Sequence, residues 1–284
     1  MILVTGATGT VGRAVIDRLR ALGTPVRALV RRPETANPPA DIEVVRGDLG
    51  APASLAAALD GVDSVFLLSA GPEIPVYDAN VAAAATRAGV RHLVKLSSGR
   101  AGDDAATDPI PAWHRAGEQT VRESGIDWTM VRPLGFMSNA LHWAPGIRAV
   151  DTVRAPYGQG RIAVVDPEDI AAVAVAALTE TGHAGKVYTL SGPQALAPGE
   201  QTGILAEVLG RPLRYEEISA AEAHTALLGF GVTPELADAV MALRATALES
   251  FTSVIHPAVE EVTGRPPRSF ADWATTHRAE YVSG

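Results

Sequence analysis

The chain contains no cysteine, which excludes disulfides, thiolate catalysis and cysteine-held metal sites. It has only two lysines, Lys95 and Lys186, beside 22 arginines, and no basic run. With a net charge of −8, it offers no electrostatic footprint for nucleic acid. Long apolar runs are missing as well. The most apolar stretch, 170–179, lies between Asp169 and Glu180 and is too short to cross a bilayer. No basic segment precedes the first apolar residues, so a secretory leader is not expected, and the lack of cysteine fits a reducing cytoplasm. The histidines form no HxH or HExxH pair, so no metal site is expected. The absence of a Gly-x-Ser-x-Gly elbow disfavours the α/β-hydrolase route. Finally, no tyrosine has a lysine four residues on. Val81, Arg161, Gly192 and Ser219 follow Tyr77, Tyr157, Tyr188 and Tyr215 at that spacing, and Tyr281 has no fourth residue after it.

What is present alternates strand and helix. The apolar segment 2–5 runs into glycines 6, 9 and 12. Val11, Ala14, Val15, Leu19 and Leu22 then recur at helical spacing up to Gly23. Strands are expected at 25–31, 42–49, 64–71, 92–99, 127–133 and 186–193. Helices are expected at 53–62, 78–90, 111–125 and 166–182, with a proline-rich loop at 32–40 and a hairpin-like piece at 152–165. Such alternation makes βαβ units and a parallel sheet. From about residue 197 apolar strand runs stop and amphipathic helices take over. The expected architecture is α/β: a Rossmann-type doubly wound sheet with a smaller, mainly helical C-terminal lobe. Residues 1–195 form the dinucleotide domain and 196–284 the lobe, with 137–165 on the substrate side.

The glycine spacing suits a dinucleotide. Gly6 permits the tight turn, Gly9 lets backbone approach a pyrophosphate, and Gly12 allows close helix-to-strand packing, so that the helix N-terminus faces phosphate. The alternative is a purely structural turn. The second strand ends Val30-Arg31-Arg32, where an NAD site usually places an acid. Two guanidiniums there suit a ribose 2′-phosphate unless both simply face water. NADP(H) is the expected cofactor, with NAD(H) the alternate.

The ordered segments GATGTVG, VRR, GDL (47–49), LLS (67–69), KLSS (95–98), RPLGFMSN (132–139), VVDPEDIA (164–171) and YTLSGP (188–193) resemble the NmrA-like, atypical short-chain dehydrogenase/reductase family, which includes NAD(P)H-dependent quinone reductases. The likeness runs through nearly the whole chain. It implies a cofactor held by Gly6, Thr8, Gly9, Thr10, Val11 and Gly12, with Asp48 and Leu49 at the adenine. Leu68, Ser69 and Ala70 would run along it, joined by Ser97, and Leu134, Gly135 and Phe136 would lie near the nicotinamide. The helix that would carry the Tyr-Lys dyad reads AWHRAGEQT, putting His114 and Glu118 at i and i+4. His114 is the first catalytic candidate, donating a proton or hydrogen bond near neutral pH. Its alternative is a structural role, bonded to Glu118. Ser97 (or Ser98) and Tyr157 follow. Trp113, His114, Phe136, Asn139 and Trp143 are the substrate candidates, with His142 weaker, and the aromatic ones could equally be core.

Two classes of function remain. One is an oxidoreductase passing hydride to a planar quinone or an aromatic, polyketide-type substrate. Such acceptors form stabilised anions, so a strong acid is dispensable. The other is a non-catalytic dinucleotide sensor of the NmrA type, and oxygen-using oxidation of an aromatic substrate is a third route. The expected partner is a small aromatic or quinone-like molecule, with no nucleic acid and no membrane, and the protein a monomer or homodimer. Replacing Arg31 and Arg32 together by Ala is expected to weaken NADPH binding far more than NADH binding, by about 1.5–3 kcal/mol per lost charge-assisted bond at most. Equal losses for both nucleotides in calorimetry would refute a 2′-phosphate role.

Overall fold

Ile2, Leu3 and Val4 are all buried, as a strand covered on both faces requires. A computed structural model of the protein describes residues 1–36, 39 and 41–282. Its strands are β1 (Ile2–Val4), β2 (Val26–Val30), β3 (Glu43–Arg46), β4 (Ser64–Leu67), β5 (His92–Leu96), β6 (Asp127–Pro133), β7 (Thr152–Ala155), β8 (Lys186–Leu190) and β9 (Arg214–Glu217). Its helices are α1 (Thr10–Ala21), α2 (Pro33–Ala36), α3 (Leu55–Leu59), α4 (Ile74–Ala88), α5 (Pro109–Glu123), α6 (Ala144–Val150), α7 (Pro167–Thr179), α8 (Pro198–Leu209), α9 (Ala220–Gly229), α10 (Pro234–Ala245), α11 (Ala258–Thr263) and α12 (Phe270–Thr276).

The chain forms two compact units. The first gathers Met1–Ala106, Pro111–Arg132 and Pro167–Thr189, and the second gathers Thr107–Ile110, Pro133–Asp166 and the chain from Leu190 on. The first unit is a Rossmann-like α/β layer structure. Its seven-stranded sheet has the order β3-β2-β1-β4-β5-β6-β8, and every pairing from β3 to β6 is parallel. The order reverses between β1 and β4, the crevice where doubly wound sheets take their ligands. Leu3, Leu29, Val65, Leu67, Leu93 and Met130 of the strands pack with Leu55, Leu59, Val81 and Val121 of the helices into one core.

The second unit has its own core, in which Met137, Ile147, Val153, Leu205, Phe270, Trp273 and Tyr281 meet. Phe270 stacks on Trp273 with centroids 5.4 Å apart. Its small sheet pairs β7 with β9 in parallel, Val153 opposite Tyr215.

Several expectations are corrected. The piece 152–165 is not a hairpin, because β7 takes its partner from β9, 62 residues on. The returning chain is instead held by bridges from Val165 to Phe136 and from Ile162 to Leu196. β9 itself, Arg-Tyr-Glu-Glu, was not legible as a strand because three of its four residues are charged. Helices α4 and α5 begin earlier than the apolar pattern suggests, since Pro75, and Pro109 with Pro111, occupy their first turns, where proline is tolerated. The loop at 32–40 contains the single-turn α2, and residues 37, 38 and 40 of it lie outside the described residues.

Gly12 is a tight point of the first unit: a Cβ there would stand 2.1 Å from the carbonyl oxygen of Gly6. Gly203, inside α8, has nothing within 4 Å of its would-be Cβ. Gly12→Ala is therefore expected to destabilise the protein by about 1–3 kcal/mol or more. Gly203→Ala should stabilise it by about 0.5–1 kcal/mol. Urea denaturation of the two variants without ligand checks the opposite signs.

Candidate functional site

The glycine turn joins the end of β1 to the start of α1. Gly6 holds φ +61°, a conformation that L side chains rarely adopt, and a Cβ there would meet Leu68 at 2.9 Å. Gly9 is the N-cap of α1 and donates no side-chain cap, and the first turn carries no acid. A Cβ on Gly9 would meet only the Gly6 carbonyl oxygen, at 3.3 Å, so its outer side is open. The first N–H groups of α1, from Thr10, Val11 and Gly12, therefore lack a built-in acceptor. An uncapped twelve-residue helix with a glycine-only approach fits a pyrophosphate.

Beside the turn lies a cavity of about 360 Å³ lined by Ala7, Thr8, Arg13, Asp17, Ala28 and Val30, among others. Arg31 and Arg32 are both exposed at the end of β2, but the cation that lines this cavity is Arg13. The sequence reading missed it. Its signal was its place directly after Gly12, in the first turn of the helix.

Further along the carboxyl ends of the strands, Thr5 Oγ1 donates to the Leu68 carbonyl at 2.9 Å and accepts from the Leu68 amide at 2.7 Å, which locks the ends of β1 and β4 together. Asp48 caps its own turn, its Oδ1 accepting from the Gly50 amide at 2.9 Å. The Leu49 carbonyl accepts from Asn80 at 2.8 Å. Ala70 is exposed and Leu68 half-buried. Ser69 differs from expectation: its hydroxyl turns inward and donates to Asp78 Oδ1 at 2.7 Å, leaving only its backbone for a ligand. Asp78 Oδ2 lies 2.5 Å from Lys95 Nζ, and both side chains are fully buried. The signal for this pair was a lysine in the middle of the apolar strand HLVKL. Gly117 makes room for it, since a Cβ there would stand 2.0 Å from Asp78 Oδ2.

Ser97, His114 and Glu118 also come together in the first unit. Ser97 Oγ donates to Glu118 Oε1 at 2.6 Å. Arg132 adds a fork to both oxygens, at 2.7 and 2.5 Å, and Arg122 donates at 2.9 Å. Burial alone would raise the Glu118 pKa, but Arg132, then Ser97 and Arg122, hold it below the usual carboxylate range. Glu118 is thus fully occupied and does not bond His114. The i, i+4 bond of the structural alternative does not form. His114 Nδ1 is buried and finds no hydrogen-bond partner among the described residues. Burial first, then the Lys95 ammonium, and more weakly Arg132, push the imidazole from 6.5 down to about 3, which the pull of Glu118 does not offset. The expected near-neutral pKa is corrected: this imidazole is uncharged across the physiological range. Trp113, its neighbour on α5, and Ser98, after β5, are half-buried.

Within the second unit, a cavity of about 310 Å³ brings together Gly135, Phe136, Asn139, His142, Trp143 and Tyr157. Leu134, just before them, is buried and donates its amide to the Leu190 carbonyl at 3.0 Å. Val165 donates to the Gly135 carbonyl at 2.8 Å, so this strand end is held by the 162–165 segment. His142 Nδ1 pairs with the Asn139 carbonyl at 3.1 Å. Tyr157 adopts φ +60° although it is not glycine. Such local strain persists where surrounding structure fixes it, typically at ligand clamps. No group of three metal-ligating side chains occurs among the described residues, and no described helix is long and apolar enough to cross a membrane.

Comparison with known proteins accords with this geometry. A family model for NAD(P)H-binding proteins matches residues 6–181. A (4-alkanoyl-5-oxo-2,5-dihydrofuran-3-yl)methyl phosphate reductase of Streptomyces griseus is 51% identical, with 99% of each chain covered. An NAD(P)H azoreductase of Xenophilus azovorans is 40% identical over 99% of each chain. The NADPH-dependent quinone oxidoreductase of Escherichia coli, solved in complex with NADPH, superposes with a TM-score of 0.85 at 29% identity, covering 98% of this chain and 100% of that one. The chain belongs to the NAD(P)H-binding family, in its NmrA-like, atypical short-chain dehydrogenase/reductase branch, and it is an oxidoreductase.

Proposed function

We propose that this oxidoreductase reduces a small, conjugated, electron-poor acceptor, a quinone or an aromatic or doubly activated enone, with NADPH preferred over NADH. The carrying observation is the lack of a working acid where the family would place one. There is no Tyr-x-x-x-Lys pair, and His114 has its pKa near 3. A reduction that needs immediate protonation of an isolated alkoxide is poorly served by such a site. When bound, the dinucleotide supplies a hydride, and a conjugated acceptor that takes it becomes a delocalised anion, which water can protonate later. The relatives support this reading. A quinone gives a hydroquinone anion, and the ring double bond named in the Streptomyces griseus reductase carries two carbonyl groups on one of its carbons, so hydride addition at the other carbon gives a dicarbonyl enolate.

In this reading, the turn from Gly6 to Gly12 holds the pyrophosphate, while Arg13, Arg31 and Arg32 attract the 2′-phosphate. Asp48 and Leu49 border the adenine. Leu68, Ser69 and Ala70 border the cofactor through backbone. Leu134, Gly135 and Phe136 face the nicotinamide, and Trp113, Asn139 and Trp143 contact the acceptor. His114 serves as a neutral hydrogen-bond donor to the acceptor oxygen. Ser97 and Tyr157 are secondary partners, since the Ser97 proton is already given to Glu118. The protein works in the cytoplasm on a small molecule, as a monomer or homodimer.

The test follows the reduced-nicotinamide absorbance with 1,4-naphthoquinone, an azo dye, an acyl butenolide and cyclohexanone. Turnover is expected with the conjugated acceptors and not with cyclohexanone, and with a lower KM for NADPH than for NADH. Comparable rates on cyclohexanone, or none on any conjugated acceptor, would overturn the proposal.

His114 gives a second test. Its folded pKa is depressed, so its contribution to stability is complete above the unfolded value of 6.5 and is lost as pH falls toward about 3. Between these limits the unfolded chain binds a proton that the folded chain refuses. Urea midpoints of the wild type should fall from about pH 6.5 to about pH 4 more steeply than those of His114→Asn. Parallel curves would show that His114 titrates normally.

A further inference from the structure

The second-unit cavity contains a charge that no described residue answers. Its lining includes two arginines, Arg154 and Arg244, and no aspartate or glutamate among the described residues. Arg154 is already neutralised, by Glu216 at 3.2 Å and Glu222 at 3.5 Å. The guanidinium of Arg244, on α10, makes no hydrogen bond or ion pair with a described residue, and the residue is half-buried. Burial lowers the guanidinium pKa, and among the described residues the one side chain that opposes this is Tyr157. Leaving a partly desolvated cation unpaired is costly, so a partner is expected from outside the chain. Tyr157 is also the residue held at φ +60°, which fixes its ring on the same cavity wall.

One flank of the wall is apolar, while Asn139, His142 and Gln201 lie elsewhere on it. Ile218, Ala226, Leu227, Phe230 and Val232 line it together with Arg244. A cavity that joins an apolar flank to one unpaired guanidinium is complementary to an amphiphile. One end of the ligand carries an oxyanion, and the other is an alkyl or acyl chain. A guanidinium matches two oxygens of a phosphate monoester or a carboxylate with parallel bonds.

Resting on the reading of this cavity as the acceptor site, we propose that Arg244 binds an oxyanion on the substrate, of the phosphate-ester or carboxylate type, while the Ile218, Leu227 and Phe230 wall takes its alkyl arm. The preferred acceptor is thus an anionic, chain-bearing conjugated compound rather than a bare quinone. Arg154 does not share this role, because its charge is taken.

Calorimetry with octyl phosphate, octanoate and octanol tests this, with NADP⁺ saturating so that the glycine turn is filled. In the wild type, octyl phosphate or octanoate should bind at least ~10-fold more tightly than octanol, as expected for a charge-assisted contact. The ratio of the two anions distinguishes the phosphate from the carboxylate type. Arg244→Met should erase the advantage of the anions while changing octanol affinity less than about twofold, and Arg244→Lys should restore part of it. Arg154→Met should keep the advantage. Equal binding of octanol and both anions in the wild type, or an unchanged preference in a folded Arg244→Met, overturns the proposal. The experiment reads binding and not turnover, so a failure of the acceptor assays alone would count against the reduction chemistry and not against Arg244.

Discussion

The contact between Gly12 and the Gly6 carbonyl governs the first unit. Because a Cβ at residue 12 would lie 2.1 Å from that oxygen, α1 can reach the sheet at this angle only with glycine there. The approach puts the open N-terminus of α1 at the point where strand order reverses between β1 and β4. Thr5 then ties those two strand ends through Leu68. Phosphate recognition in this protein is therefore a by-product of packing. The same missing side chains that let the helix lie close also leave backbone N–H groups facing outward.

Behind this crevice the chain buries charge in a way that shapes its chemistry. Lys95 and Asp78 form a fully buried pair, with Ser69 on the second carboxylate oxygen. Glu118 is fully buried as well and satisfied by Ser97, Arg132 and Arg122. Removing one member of such a group would strand its partner, at a cost of about 3–5 kcal/mol. These groups hold β5, α5, α4 and β6 in register. They also place positive charge near His114 and remove its acid partner. The result is an imidazole that stays neutral.

The second unit has a cavity of its own. Its cavity is built from the strand end at Gly135 and Phe136, from β7, and from α9 and α10. The 162–165 segment pins the strand end through the Val165-to-Gly135 bond. Tyr157 in a strained conformation and Arg244 without a counter-charge are features that a fold seeking only stability would not keep.

Much of the first unit was legible in the chain. Glycines at 6, 9 and 12 between an apolar strand and an amphipathic helix define the turn by local sterics alone, and apolar runs of strand length define the parallel sheet. The missing Tyr-Lys pair was visible by simple inspection. What could not be read were relations between distant residues. The β7–β9 pairing joins a segment with weak strand character to a charged one 62 residues later. The alliance of Glu118 with Arg132 and Ser97, rather than with His114, depends on β5, α5 and β6 lying side by side. The unpaired state of Arg244 depends on which acids the fold brings near, and Glu216 and Glu222 go to Arg154 instead. Sequence by itself determined the turn, the alternation and the type of cofactor, because those follow from short-range geometry. Tertiary structure alone decided which charges are answered, because electrostatic pairing is set by distance in space and not along the chain.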